Sequence, residues 1–255
     1  NRLAREIAGM LGAEAVLTTA TDVNEKFAVD VFAAEQGFLI QNREGIERIS
    51  AGILQGEQKS LAVEGLDARE CLEFLRKRLG ACPDEILPVS CGSGSKAEET
   101  VPDQADIVLS EQAPGRETVL WLKPKRYILG MGCKKGKPCG ALLGLVRREL
   151  GRLGISESEV YALASIDRKE DEEGLQDLAD YLRVPFYTYS EERLTGLDGE
   201  YSTSEFVEKT VGVDNVCERS AVWAAGNGRL LDGKSKGPGI TCALAVKNWK
   251  LHFDD

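Results

Sequence analysis

Apolar positions along this chain recur at two spacings, and the two take turns. Helical spacing over residues 1–11 stops at Gly12, and 15–19 is a short apolar, β-branched run of strand type. Residues 25–35 return to the helical period, with Phe27, Val31 and Phe32 on one face and Gly37 as the stop. The pattern then predicts a helix at 43–54, a strand at 61–63 and a helix at 67–79, capped by Asp67 and closed by Gly80. Strands follow at 107–109 and 119–122. After Pro124 the pattern is cleaner: strand 127–131, helix 139–153, strand 160–166, helix 172–182 and strand 184–188. Helices at 206–211 and 219–225 and a last strand at 239–246 complete it. Short strands alternating with helices predict an α/β fold with parallel pairing.

Turn-forming residues divide that series. Residues 89–95 read as a glycine–serine loop, and Pro114, Gly115 and Pro124 interrupt the middle of the chain. A boundary near 123–125 is expected, giving two α/β domains, 1–124 and 125–255. The second is expected to be a helix-flanked mixed or mostly parallel sheet. The amphipathic start, Asn1-Arg2-Leu3-Ala4-Arg5-Glu6, is not an apolar leader, and the lack of an initial Met predicts further sequence upstream.

Charge and cysteine content narrow the chemistry. A net charge of −10 argues against a general nucleic-acid surface, so a polyanionic ligand would need a local basic pocket. No apolar run is long enough to span a membrane. The seven cysteines include no CxxC pair, which argues against a zinc ribbon or redox dithiol and fits free thiols in a cytoplasm. His252 is the single histidine, so a site built from several imidazoles is excluded and any histidine-driven triad would have to use it. A tail residue beside Trp249 and Phe253 is the plainer reading of His252.

Chemistry concentrates after the strand at 127–131. There the chain reads Gly130-Met131-Gly132-Cys133-Lys134-Lys135-Gly136-Lys137-Pro138 and turns into a helix. Glycine lets a ligand approach bare N–H groups, and the helix dipole and lysines favour an anion. A plain turn with a solvated basic edge is the alternative, since neither GxGxxG nor a Walker loop is met. The strand at 160–166 runs into Asp167-Arg168-Lys169-Glu170-Asp171-Glu172, either a second ligand loop or an acidic, solvated helix start. Ser202 and Glu205 form a capping-box pattern, with Thr203 and Ser204 as extra hydroxyls for a pocket rim. Glu218 is a first-turn acid or a general base. Lys234 and Lys236 read either as part of a solvated hairpin loop or as two ammonium groups brought to ligand carboxylates.

These residues together resemble a known family. The segment Gly130-Met131-Gly132-Cys133-Lys134-Lys135-Gly136 is similar to the GIGCRRG loop that opens the C-terminal domain of the cobalamin-biosynthesis family CbiG and its stand-alone relative CobE. Blocks at 164–169, 201–204, 211–218 and 231–243 resemble family blocks in the same order. Residues 18–24 and 27–30 resemble the middle region of CbiG, which favours CbiG over CobE. CbiG carries a further N-terminal domain, so a leading domain is expected to be missing from this chain.

The resemblance implies a cobalt-precorrin-5A hydrolase of anaerobic cobalamin biosynthesis, which opens a ring A δ-lactone and releases acetaldehyde. It implies no protein-bound metal or cofactor, because cobalt arrives inside the tetrapyrrole substrate. Partners would be that substrate and, beyond it, a second copy or other pathway enzymes, with no nucleic acid or membrane. Glu218 or Asp167 would act as base. Gly132, Cys133, Lys134, Lys135, Gly136, Lys169, Ser202, Thr203, Ser204 and Lys234 would bind substrate, the loop amides holding a carboxylate or the oxyanion. Cys133 is a less favoured nucleophile, because no nearby histidine would activate it. Two rivals stand beside this reading: a tetrapyrrole-binding or handover module, and an unrelated α/β enzyme acting on a phosphorylated small molecule.

Overall fold

The computed structural model describes residues 10, 26–91, 105–197, 199, 201, 215–226 and 228–250. Apart from Met10, the elements expected at 1–11, 15–19 and 206–211, the glycine–serine residues 92–95, the hydroxyls Ser202, Thr203 and Ser204, and His252 lie outside them. The chain forms two compact units, Asn1–Lys123 and Pro124–Asp255.

In the first unit the described order is α1 (Val29–Glu35), β1 (Phe38–Ile40), α2 (Arg43–Leu54), β2 (Lys59–Val63), α3 (Ala68–Leu79), β3 (Ile86–Val89), β4 (Ile107–Leu109) and β5 (Leu120–Pro124). The five-stranded sheet runs β1-β5-β4-β2-β3, and the pairs β3/β2, β2/β4 and β4/β5 are parallel. The start of α3 is locally encoded: Asp67 accepts the Glu70 N–H while the Glu70 carboxylate accepts the Asp67 N–H, and Gly80 closes the helix in the left-handed region.

The second unit contains β6 (Tyr127–Cys133), α4 (Cys139–Leu153), β7 (Val160–Ile166), α5 (Glu173–Leu182), β8 (Phe186–Tyr189), α6 (Glu191–Thr195), α7 (Val216–Ala224), β9 (Arg229–Gly237) and β10 (Ile240–Val246). Its sheet runs β8-β7-β6-β10-β9. Strands β6, β7 and β8 are parallel, and β10 joins antiparallel to both β6 and β9. The expected mixed α/β sheet is therefore present.

Strand alternation sorts the side chains into two layers. Leu129, Met131, Leu163, Cys242 and Leu244 pack against Leu142, Val146, Leu175 and Leu178 of α4 and α5. The opposite face is thin: Ile128, Ala162, Ala164 and Ala245 meet Ala221 and Ala225. Helix α7 rests so close to β6 that a Cβ on Gly130 would lie 1.8 Å from the Cys217 carbonyl oxygen. Glycine at 130 is thus what allows the helix to seat.

Three strands escape the sequence pattern: β1, β3 and β9. The last is the consequential difference. Residues Asp232-Gly233-Lys234-Ser235-Lys236-Gly237 have turn-like composition, but they pair with β10, and only Pro238 and Gly239 make the turn. Partner hydrogen bonds override the low strand propensity of this segment. Its register slips between Cys242 and Leu244, so that Gly233 and Lys234 stand opposite the single residue Ala243.

Candidate anion-binding cavity

A cavity of about 690 Å³ opens at the carboxyl ends of β6 and β7, a size suited to a small-molecule site. Four segments build its wall. The end of β6 and its loop give Gly132, Cys133, Lys134 and Lys135; β7 and the turn after it give Ile166, Arg168 and Lys169. The start of α7 gives Asn215 and Val216, and the β9–β10 hairpin gives Lys234, Lys236, Gly237, Gly239, Ile240 and Thr241. This is where an open α/β sheet collects ligands, because loops diverge there and leave a crevice.

The wall is cationic. Lys134, Lys135, Arg168, Lys169, Lys234 and Lys236 face it, and no Asp or Glu is on it among the described residues. Arg168 pairs with Glu191 at 2.9 Å, and Lys169 with Glu172 at 2.9 Å. Among the described residues, Lys134, Lys135, Lys234 and Lys236 have no carboxylate partner. Four like charges gathered without counter-ions repel one another, so an anionic ligand is the natural complement. The long-range field of the acidic chain is screened over about 8 Å at physiological salt, leaving the local cations in control.

Bonds from both faces hold this wall. Asn215 is fully buried and caps α7, accepting the Glu218 N–H at 3.0 Å. Behind the wall, the Glu218 carboxylate accepts the Lys234 N–H at 2.6 Å. That N–H sits in the register slip described above, where Glu218 takes the place of a ladder partner. On the other face, Glu149 binds Arg148 and Arg152, at 2.8 and 3.1 Å. Arg148 reaches the Lys236 carbonyl at 3.1 Å, and Arg152 pairs with Asp232. Burial opposes the charged form of Glu149, but these partners and Ser235 outweigh it and hold the carboxyl below the usual carboxylate range.

The cavity brings together Gly132, Cys133, Lys134, Lys135, Lys169 and Lys234 of the expected set. Three expected residues stand elsewhere. Glu218 is 1% exposed and lies behind the wall, not on it. Gly136 donates its N–H to Glu172, away from the cavity. Asp167 is exposed on the turn after β7, where its carboxylate accepts the Arg168 N–H at 2.7 Å.

The loop amides also depart from expectation. Lys134 N–H is given to the Gly239 carbonyl at 2.9 Å and Gly136 N–H to Glu172, so these two amides are already engaged. The lysine side chains along the wall add positive charge to it. For Cys133, burial pushes the thiol up; Lys169 draws it down, and Glu172 pushes it up. A thiol so held is a weak nucleophile.

Asn215, Thr241 and the brace Glu149 carry no local sequence signal of their place here, whereas Arg168, Lys236 and Glu172 stand in segments the sequence marks as candidate ligand loops. Among the described residues no group of three or more His, Cys, Asp or Glu is arranged to hold a metal, and no helix is long and apolar enough to cross a membrane.

Comparison with known proteins places this chain in a family. Residues 127–245 match the family described as Cobalamin synthesis G C-terminus. Over 252 residues the chain is 31% identical to the cobalt-precorrin-5A hydrolase of Salmonella typhimurium, a match covering 96% of this chain and 68% of that protein. The cobalt-precorrin-5A hydrolase of Priestia megaterium is 27% identical, with 96% of this chain and 65% of the relative covered. Among solved structures, that of CobE, a protein from the cobalamin biosynthetic pathway, shows 36% identity and a TM-score of 0.45, covering 47% of this chain and 89% of CobE. The chain thus spans about two thirds of the length of these curated relatives. With nearly all of its residues aligned to such hydrolases and its second unit matched to the family's C-terminal domain, the chain belongs to the CbiG family of cobalamin biosynthesis.

Proposed function

We propose that this chain takes cobalt-precorrin-5A into the cationic cavity and opens its ring A δ-lactone, with release of acetaldehyde. The single observation that carries the substrate class is the wall itself: six cations and no described carboxylate, in a chain of net charge −10. A tetrapyrrole ringed with acetate and propionate groups supplies the anions such a wall needs. Cobalt enters as part of the substrate. No resident metal or cofactor enters this reading.

The chemical step requires water to add to the lactone carbonyl, negative charge to collect on its oxygen, and the acyl–oxygen bond to break, leaving a carboxylate and a hydroxyl on the two-carbon unit; loss of that hydroxyl proton then forms the aldehyde carbonyl as the carbon–carbon bond to the macrocycle breaks, its electron pair passing into the conjugated ring. The wall lysines stabilise that charge. Asp167 is the candidate base: it is exposed, and its chain neighbours Ile166 and Arg168 both line the cavity. Glu218 positions Lys234 from behind. Free cysteines throughout the described chain fit a cytoplasmic enzyme.

One observation favours a second reading, a tetrapyrrole-binding or handover module: the described wall carries cations but no base. Anaerobic incubation with cobalt-precorrin-5A separates the two. Acetaldehyde production supports hydrolysis. Saturable binding without acetaldehyde supports handover, and neither binding nor product overturns both.

A further inference from the structure

Glu172 sits beside the cavity without lining it, and its side chain is 8% exposed. One carboxylate oxygen accepts the Gly136 N–H and the other takes the Lys169 ammonium at 2.9 Å. One side chain therefore ties the glycine-rich loop after β6 to the turn after β7. Both segments place cations on the wall, Lys134 and Lys135 from the first and Lys169 from the second. Gly136 has φ +74°, a backbone state that only glycine adopts readily, and its N–H is held by Glu172. Burial disfavours a charged Glu172, yet the Lys169 ammonium and the Gly136 and Lys137 amides outweigh it and keep its pKa below the usual range.

We propose that Glu172 is a positioning residue for anion binding: its negative charge strengthens the grip of the cavity on a polycarboxylate by holding the loop and Lys169 in place. This rests on the reading of the cavity as a tetrapyrrole site. It also makes a prediction opposite to Coulomb's law alone. Removing an anion from the edge of an anion site ought to tighten binding electrostatically. Removing a clamp loosens it.

The test uses the full chain and two readouts. In the first, residue-resolved amide exchange is measured on the wild type, Glu172→Gln and Glu172→Ala, with no ligand. Exchange at Gly136 should be fastest in Glu172→Ala and intermediate in Glu172→Gln, whose amide oxygen still accepts the N–H, while β7 amides stay unchanged. In the second, the polycarboxylate uroporphyrin is titrated into each. Glu172→Gln and Glu172→Ala should bind about tenfold more weakly, a loss of roughly 1.4 kcal/mol. Equal Gly136 exchange in all three proteins, or tighter binding by Glu172→Gln, overturns the proposal. If the wild type fails to bind uroporphyrin, the reading of the cavity falls, while the exchange experiment still decides whether Glu172 clamps the loop.

Discussion

The buried carboxylate of Glu218 accepts the backbone N–H of Lys234 at 2.6 Å, joining the first turn of α7 to the irregular stretch of β9. A functional side chain is thereby aimed by a bond to its own backbone. The pairing also explains why an acid so near the cavity is not on its wall.

Glu218→Ala should destabilise the protein by about 1–3 kcal/mol, because the part-buried Lys234 N–H loses its acceptor. Glu218→Gln keeps an acceptor and should lose less. Chemical denaturation of both variants checks this. Tetrapyrrole binding by Glu218→Gln should stay within a few-fold of wild type, and its complete loss would contradict the positioning role.

Two glycine-to-alanine substitutions should act in opposite directions. At Gly130 the new Cβ meets the Cys217 carbonyl and Ala221, so α7 must move, at a cost of at least about 1–3 kcal/mol. At Gly144, within α4, nothing lies within 4 Å, and alanine should stabilise by roughly 0.5–1 kcal/mol. Melting temperatures that fall together would show that the helix–sheet contact is not the cause.

Lys134→Ala combined with Lys135→Ala should weaken uroporphyrin binding and flatten its salt dependence, since two of the cations without carboxylate partners are removed. Asp167→Asn should leave the apparent KM for cobalt-precorrin-5A near wild type while lowering kcat. Titrations at two ionic strengths and single-turnover acetaldehyde release measure these effects. An unchanged salt slope, or unchanged kcat, removes the corresponding assignment.

Glu149 should contribute to acid stability. Its folded-state pKa is depressed, so its contribution is present above the ordinary carboxylate pKa and is lost as pH falls through the lowered value. Glu149→Gln should therefore be less stable than wild type at neutral pH, with the gap narrowing in acid. Urea midpoints measured across that range decide it, and a gap that widens on acidification would contradict the sign.

Much of this was legible beforehand, and the reasons are local. The limits of α2, α4, β4 and β7 follow from apolar spacing, while capping chemistry fixes the start of α3. The loop after β6 announced its lysines and glycines. Strand β9 was illegible because no local property makes Asp232-Gly233-Lys234-Ser235 extended; pairing with β10 does. The parts played by Glu149, Glu172 and Glu218 were hidden for a related reason. Each reads as an ordinary acid on or before a helix, and its partners lie from 1 to 88 residues away once the carboxylates and the arginines they orient are followed outward. Spacing along a chain reports faces of helices and strands. It does not report which backbone amide a fold leaves without a neighbour.

Every described residue of the cavity wall falls between Gly132 and Thr241, inside a single compact unit. The described wall is therefore a cassette. Its cations, its braces and the glycine that seats α7 are inherited together in about half of the chain. Recombination that moved this stretch would carry the whole described receptor for anions with it, leaving selection free to vary what is joined to it.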